Sequence, residues 1–262
     1  MNVDIQKDLI YHTYKEGLMY SIFVITHKNI FDFVYTGERL CNFKFMNVSD
    51  SQLQLELYDK YNVVDIKQTN FINLGKHYTE SEVIYNVYKN NLYESLPYIG
   101  FIHYDVGTKQ IQTNVSLTAY LDKYLDSIDH INLQPFDFNW DYYQRILADA
   151  NFPETLVGDG KNCYDFILEK YNEFYNTKKT INDLSGIINL CSCFILKVEY
   201  FKLMMSWISW IIETKCLDVF DTLHRYRIQG GLLERFYAVW LKLNVANSYI
   251  FAVDHMCYLK NS

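Results

Sequence analysis

Apolar residues occur in short continuous runs that favour buried β-strands. The first two runs are LMYSIFVITHK (18–28) and KYNVVDIKQ (60–68), and the next two are YIGFIH (98–103) and CSCFILKV (191–198). Runs of this length that are rich in Ile, Val and Phe and bounded by polar or turn residues are typical of strands covered on both faces. We therefore predict a strand in each of the four.

Helical periodicity separates these strands. Thr79-Glu80-Ser81-Glu82 has the spacing of a capping box, so we predict a helix from there to about Asn91. The C-terminal half is richer in helices, which we predict at 140–150, at 163–176 with Asn162 as the cap, at 199–214 and at 231–242. Alternation of strands and helices is typical of an α/β fold with a mainly parallel sheet.

Composition narrows the class of protein. Half of the 262 residues are hydrophobic and no Ser/Gly/Pro-rich linker divides them, so we expect one domain over 1–262. The net charge of −7 disfavours nucleic acid as a partner. Six cysteines without a CxxC pair indicate reduced thiols, and the apolar window LMMSWISWII (203–212) is too short to span a bilayer. We therefore expect a cytoplasmic protein without a signal peptide or transmembrane segment.

Polar residues follow two of the predicted strands. The carboxyl ends of parallel strands meet at one edge of a sheet, where ligands gather in α/β folds. The residues at these ends are Thr26, His27, Lys28, His103, Tyr104 and Asp105. Asp105 could hold a divalent cation that neutralises a substrate diphosphate, or it could only cap the turn before Gly107. His103 alternates with Phe101, and the spacing alone favours a core histidine.

The segment HRYRIQGGLLERF (224–236) supplies a second set of polar residues. At 100° per residue, Glu234 falls on the apolar side of the helix predicted from 231, so we expect it to be partly buried in the first turn. Free amides there would keep it ionised, which suits a general base. It could equally form a structural pair with Arg225 or Arg227. Those arginines could instead bind phosphate through bidentate contacts.

Two further residues are open to both a structural and a chemical interpretation. Asp183, in INDLSGIINLCSCF (181–194), could cap a helix or act as a base, and the spacing favours the cap. His255, in AVDHM (252–256), could complete a metal site with Asp105, although an isolated histidine is more often structural. No phosphate-binding loop, dinucleotide fingerprint, hydrolase elbow or zincin motif occurs in the chain.

Three blocks resemble, in order and approximate spacing, a family of glycosyltransferase-like proteins encoded in polysaccharide clusters and in some large viruses. The family has a GxxHYD/R strand, a FIxKxxxF strand and helix, and an Arg followed by GxxxER and an aromatic-rich helix. The matching blocks here are YIGFIHYD, CSCFILKVEYFKLMMSWISWII and RYRIQGGLLERFYAVWL. The resemblance spans about residues 80–243. It implies a single Rossmann-like α/β domain of the GT-A type, with a mixed, mainly parallel sheet flanked by helices.

The resemblance also implies an activity. The chain would be a nucleotide-sugar-dependent glycosyltransferase of polysaccharide biosynthesis, viral or bacterial, that moves a sugar from a nucleotide-diphosphate sugar to an acceptor hydroxyl on a glycan. The nucleotide-sugar half would cover about 1–120, and the acceptor half about 121–262. The donor would contact the two strand ends and the two arginines, namely Thr26, His27, Lys28, His103, Tyr104, Asp105, Arg225 and Arg227. Glu234 or Asp183 would be the base, and Asp105 with His255 would hold manganese or magnesium.

The sequence departs from the common GT-A pattern at one position. Residue 103 is His, so Asp105 is not part of a DxD motif. Metal dependence therefore stays open, and Arg225 and Arg227 are the alternative source of positive charge. Two other functions also stay open: a catalytically inactive sugar-binding or scaffolding protein of the same fold, and a phage-type enzyme that glycosylates DNA bases, which the charge of −7 disfavours.

Overall fold

The computed structural model describes residues 19–26, 30, 32–49, 53, 55–66, 71–143, 163–218 and 228–255. The strands are β1 Tyr20–Thr26, β2 Phe43–Asn47, β3 Val63–Asp65, β4 Tyr98–His103, β5 Val106–Gln110, β6 His130–Asn132, β7 Pro135–Phe138, β8 Gly186–Asn189, β9 Phe194–Lys197, β10 Ser248–Ile250 and β11 Val253–His255. The α-helices are α1 Leu55–Lys60, α2 Glu80–Lys89, α3 Leu117–Tyr124, α4 Cys163–Tyr175, α5 Val198–Glu213 and α6 Ile228–Asn244.

A mixed, mainly parallel sheet forms the centre of the fold. Its strand order is β10-β6-β9-β4-β1-β2-β3, and only β9 among these runs antiparallel to its neighbours, β4 and β6. Two small antiparallel sheets, β5 with β11 and β7 with β8, lie beside it. The predicted class, a Rossmann-like α/β fold with helices flanking the sheet, is confirmed.

Side chains of the sheet alternate between two hydrophobic cores. Phe101 of β4 and Phe194 of β9 point to a core shared with α2, α4, α5 and α6, which we call the α6 face. Ile102 and Ile195 point to the opposite core, shared with α3, which we call the α3 face. A Cβ on Gly100 would lie 2.9 Å from Cγ1 of Ile195, so this position of β4 has no room for a side chain. Apolar residues on both faces bury these strands completely.

Most predicted elements in the described ranges are present. The strands at β1, β4 and β9 and the helices α4, α5 and α6 are confirmed. The predicted strand 60–68 is reduced to β3, and β2 was not predicted. Residues 140–143 are helical, whereas 144–150 and Asn162 lie outside the described residues. Across the described ranges, no helix combines the length and apolarity needed to cross a bilayer.

The predicted capping box at the start of α2 is wrong. Thr79 has φ of 52°, and its side chain makes no capping hydrogen bond with the helix. The reason is a tertiary contact, because a Cβ on Gly230 would lie 2.9 Å from the carbonyl oxygen of Tyr78. The conformation of the loop before α2 is therefore determined by its packing against α6 and not by the local preference for a capping box.

Candidate active site at the carboxyl edge of the sheet

Polar residues line the edge where the parallel strands end. Thr26 ends β1; it is fully buried, and its carbonyl oxygen accepts a hydrogen bond from the Val48 N–H at 2.8 Å. The Thr26 side chain is therefore not accessible from the surface at this edge of the sheet. The two residues predicted beside it, His27 and Lys28, lie outside the described residues.

A hydrogen-bonded pair joins the ends of β2 and β3. Asn47 donates from Nδ2 to Oδ1 of Asp65 at 2.6 Å, and the Tyr58 hydroxyl donates to the same oxygen at 2.7 Å. Ser49 donates its backbone N–H to Oδ1 of Asn47, which fixes the orientation of that amide. These residues were not predicted as part of the site, because FKFMN was not predicted to be a strand. The sequence signal that could have identified Asp65 is its position directly after two valines, at the end of a strand.

Next along the edge, His103 ends β4, and Ser192 lies in the turn before β9. Phe101 and Phe194 form the last pair of the antiparallel ladder of β4 and β9, so both residues lie just beyond the end of that ladder. Both are buried, and Nε2 of His103 and Oγ of Ser192 have no hydrogen-bond partner in the described part of the chain. The prediction of a buried histidine is confirmed. The ring nitrogens of core histidines usually have hydrogen-bond partners, whereas Nε2 of His103 has none in the described part of the chain.

The turn that carries Ser192 is strained. Cys191 and Ser192 have φ values of 60° and 50°, in the left-handed region that residues with a Cβ rarely adopt. Such a conformation costs about 1–3 kcal/mol per residue and persists where the surrounding structure imposes it. The turn joins β8 to β9 and lies at the same edge as His103.

Asp105 follows β4 in a tight turn. It is half-buried, whereas Tyr104 before it is buried and donates its N–H to the carbonyl oxygen of Ile25 at 3.0 Å. Val106 begins β5, and the antiparallel register of β5 with β11 places His255 opposite Val106. The backbone of His255 therefore lies opposite the residue that follows Asp105. The side chain of His255 is outside the described part.

The carboxylates of Asp105 and Glu234 both act electrostatically on the buried thiol of Cys193. Burial raises the pKa of Cys193 well above its usual range, and negative charges on Cys191, Glu234 and Asp105 raise it further. Cys193 immediately precedes β9 and lies beside the backbone N–H of His103. One carboxylate from α6 and one that follows β4 therefore both lie near enough to Cys193 to raise the pKa of its thiol.

Glu234 lies deeper in its helix than predicted. α6 begins at Ile228 rather than at 231, so Glu234 is in the second turn, and the predicted stabilisation by free N-terminal amides is wrong. Its side chain is 21% exposed, as expected for partial burial, and Oε2 lies 3.3 Å from Nη1 of Arg235. The alternative partners, Arg225 and Arg227, lie outside the described residues.

Asp183 is a capping residue. It accepts the Thr180 N–H at 2.8 Å in a capping box at the start of the 3-10 helix Ile181–Leu184, and Nζ of Lys179 is 3.4 Å away. The Thr180 N–H is the main cause that lowers the pKa of Asp183. The cap, which the spacing favoured, is confirmed, and an exposed carboxylate held in this way is a weak base.

The carboxylates do not form a complete metal centre by themselves. In the described ranges, no group of three or more His, Cys, Asp or Glu side chains is arranged to hold a metal ion. Any cation at Asp105 would need ligands from outside this set, such as the imidazole of His255 or the oxygens of a bound phosphate.

Comparison with known proteins identifies the fold. Neither a protein-family model nor a curated protein matches the chain. The solved apo structure of the WbbM bifunctional glycosyltransferase is similar, with a TM-score of 0.55 and 15% sequence identity. The match covers 90% of this chain but 45% of that one, so the chain spans less than half of that protein's length. The chain therefore shares its Rossmann-like α/β fold with part of a known glycosyltransferase.

Proposed function

We propose that the chain transfers a sugar from a nucleotide-diphosphate sugar to a hydroxyl of an acceptor glycan. One observation carries the proposal: Asp105, which follows β4 at the carboxyl edge of the sheet, and Glu234 of α6 both act electrostatically on the thiol of Cys193, in a fold similar to that of a glycosyltransferase. The reaction needs two kinds of stabilisation, one for the leaving diphosphate and one for the acceptor proton. Two carboxylates on different elements can divide these roles.

Glu234 takes the role of general base in this proposal. The bond between the anomeric carbon and the diphosphate oxygen breaks, the diphosphate leaves with the electron pair, and the acceptor oxygen bonds to the anomeric carbon. Glu234 accepts the proton of the acceptor hydroxyl. It is preferred to Asp183, whose carboxylate is exposed and whose lowered pKa makes it a weaker base.

Asp105 serves the diphosphate. A carboxylate from Asp105 and an imidazole from His255 suit Mn²⁺ or Mg²⁺ when diphosphate oxygens complete the coordination. The bound cation would neutralise the leaving group. Arg225 and Arg227 are the alternative positive groups. His103 and Tyr104, together with His27 and Lys28, would contact the donor beside Asp105.

A thermal-unfolding screen tests the donor site. Purified protein is heated with UDP, GDP, CMP and dTDP sugars, each with and without Mn²⁺, and the Asp105→Asn variant is treated in parallel. A donor at a hundred times its Kd stabilises the fold by about 2.7 kcal/mol, so we expect a shift with one nucleotide class that is lost in the variant. Absence of a shift with every donor would reject the proposal.

A sugar-binding protein without turnover is the second candidate, because His103 replaces the first carboxylate of the usual DxD motif. The same screen, followed by measurement of nucleotide-diphosphate release in the presence of acceptor glycans, separates the two. A donor-dependent shift with release supports the transferase. A shift without release supports the binding protein.

A further inference from the structure

The central sheet ends in an exposed strand. β10 is the last strand beyond β6, and its residues Ser248–Ile250 are all exposed. The carbonyl oxygen of Asn247 accepts an N–H of β6, and the N–H of Phe251 donates to a carbonyl oxygen of β6. Backbone groups of successive strand residues point to opposite edges, so the N–H and C=O groups of Ser248 and Ile250 point away from β6. In the described part of the chain, no strand pairs with this side of β10.

This edge lacks the features that keep strand edges from pairing. Proteins block open edges with charged residues, prolines or β-bulges. Residues 243–253 contain neither a charged residue nor a proline, and the register of β10 with β6 has no shift. The strand at the opposite edge of the sheet, β3, is half-buried and ends in Asp65. β10 is therefore the edge that is open to pairing with another strand.

Tyrosine side chains extend along this edge on the α3 face. Tyr249 pairs in register with Ile131 and stacks on Tyr120, with 5.0 Å between the ring centroids. Tyr124 also contacts Tyr120, with 4.8 Å between the centroids. Tyr124 and Tyr249 are 40% and 41% exposed, so an aromatic surface reaches the open edge.

Isoleucine side chains are exposed at the same edge on the α6 face. Successive side chains of a strand alternate between faces, so Ser248 and Ile250 share the α6 face. Ile187 lines a cavity of about 300 Å³ together with Ser248, His130 and Asn189. Ile187 and Ile250 are both exposed. Exposed apolar groups on both faces of an unpaired strand are typical of an interaction surface.

The free backbone groups of β10 are complementary to those of a second copy. In an antiparallel pair of β10 strands, Ser248 of each copy lies opposite Ile250 of the other, and each such pair exchanges two hydrogen bonds. A shift towards the C-terminus would need Ala252, whose carbonyl oxygen already accepts the Ile111 N–H at 3.0 Å. A shift in the other direction would pair residues outside β10. One register therefore uses all of the free groups, and its two-fold axis passes through Tyr249.

We propose that β10 pairs antiparallel with β10 of a second copy of this chain, so that the two central sheets become one. The two Tyr249 side chains then lie side by side, and cross-strand aromatic pairs are stabilising. An edge of this length buries less than the roughly 1,200 Å² of a stable complex. We therefore expect a weak dimer, with a Kd between about 10 µM and 1 mM. The inference does not depend on the proposed transfer reaction, because no residue of this edge belongs to the Asp105 site.

Sedimentation velocity at protein concentrations from about 10 µM to 1 mM tests the association. We expect the average mass of wild type to rise towards that of a dimer. Tyr249→Lys places two like charges opposite each other, and Ile250→Pro removes an N–H at the open edge, where a strand tolerates proline. Each should weaken association at least about tenfold. Leu203→Lys, at an exposed position of α5, is the control and should associate as wild type does.

Disulfide cross-linking tests the register. The two Tyr249 positions form a non-hydrogen-bonded pair with Cα atoms about 4.5 Å apart, which is within disulfide range, so oxidised Tyr249→Cys should form a covalent dimer. The two Ser248 positions are about 9 Å apart in this register, which is too far for a disulfide. Ser248→Cys should therefore give no more covalent dimer than wild type under the same oxidant.

Three results would overturn the inference. The first is wild type that stays monomeric at about 1 mM, which would leave the edge to a strand of another protein. The second is equal association of Leu203→Lys and Tyr249→Lys, and the third is more covalent dimer from Ser248→Cys than from Tyr249→Cys. Ile250→Pro carries the comparison with Leu203→Lys if circular dichroism finds Tyr249→Lys unfolded.

Discussion

Gly230, in the first turn of α6, donates its backbone N–H to the carbonyl oxygen of His77 at 2.8 Å. A Cβ at this position would lie 2.9 Å from the carbonyl oxygen of Tyr78 and would also collide with Thr79. The loop before α2 therefore packs directly on the helix. Glu234 lies one helical turn beyond this contact.

Two adjacent glycines test this packing. Gly230→Ala should lower the free energy of unfolding by about 1–3 kcal/mol, because the added methyl overpacks the contact with the loop. Gly231→Ala is the matched control: the nearest atom to its Cβ is Nη1 of Arg235, at 4.0 Å. It should instead gain roughly 0.5–1 kcal/mol from helix propensity. Urea denaturation measures both. Equal stability of the two variants would contradict the packing of α6 on the loop.

Asp105→Asn should reduce turnover by roughly 10²–10³, because the leaving diphosphate loses a group that stabilises it, directly or through a cation. Release of nucleotide diphosphate measured against manganese concentration gives the rate and its metal dependence. Asp122→Asn is the control, since Asp122 forms an ion pair with Arg39 at the surface. Equal rates for the two variants would remove Asp105 from the mechanism.

Glu234→Gln should lower turnover by roughly 10²–10⁴, the contribution typical of a general base, with little change in donor affinity. Asp183→Asn should keep turnover within about threefold of wild type and lose less than about 1 kcal/mol of stability, because the amide oxygen still accepts the Thr180 N–H but the carboxylate charge is gone. The opposite pattern of rates would assign the base to Asp183.

The stability of the capping box should also depend on pH. The pKa of Asp183 is lowered in the folded state, first by the Thr180 N–H, so its stabilisation is present above the usual carboxyl pKa. It is lost as the pH falls through the lowered folded value. Urea denaturation between neutral and acid pH should give curves for wild type and Asp183→Asn that converge at the acid end. A constant difference would mean that the carboxylate charge is not involved.

Burial of His130 predicts a second pH dependence. Its pKa is lowered to about 3 in the folded state, against an ordinary value of 6.5. Between these values the unfolded chain binds the extra proton, so stability falls as the pH is lowered below 6.5, by up to about 1.4 kcal/mol per pH unit. His130→Leu should lose this slope. Denaturation of both proteins at pH 7, 6 and 5 measures it, and parallel curves would show that the imidazole titrates normally.

Local patterns in the chain were enough to predict many elements and to name candidate site residues. β1, β4, β9 and α5 were predicted because continuous apolar runs and helical periodicity reflect burial directly. Asp105 and His103 were named because polar residues stand at the end of such a run, and Glu234 was named from its position on a predicted helix. β2, Asn47 and the hydrogen bonds of Asp65 were not predicted. The run FKFMN contains the charged residue Lys44, which is only 4% exposed, and this burial depends on the surrounding fold.

What the sequence by itself determined was the α/β class, the main buried strands and helices, and the residue types available for chemistry, since these follow from local periodicity. Only the tertiary structure decided that β9 lies antiparallel between β4 and β6, that α6 packs on the loop before α2, and that Asp105 and Glu234 both act on the thiol of Cys193. It also created the cavity around His130 and Asn189. These features depend on contacts between segments far apart in the chain, whose packing energy outweighs local preference, as the failed cap at Thr79 illustrates.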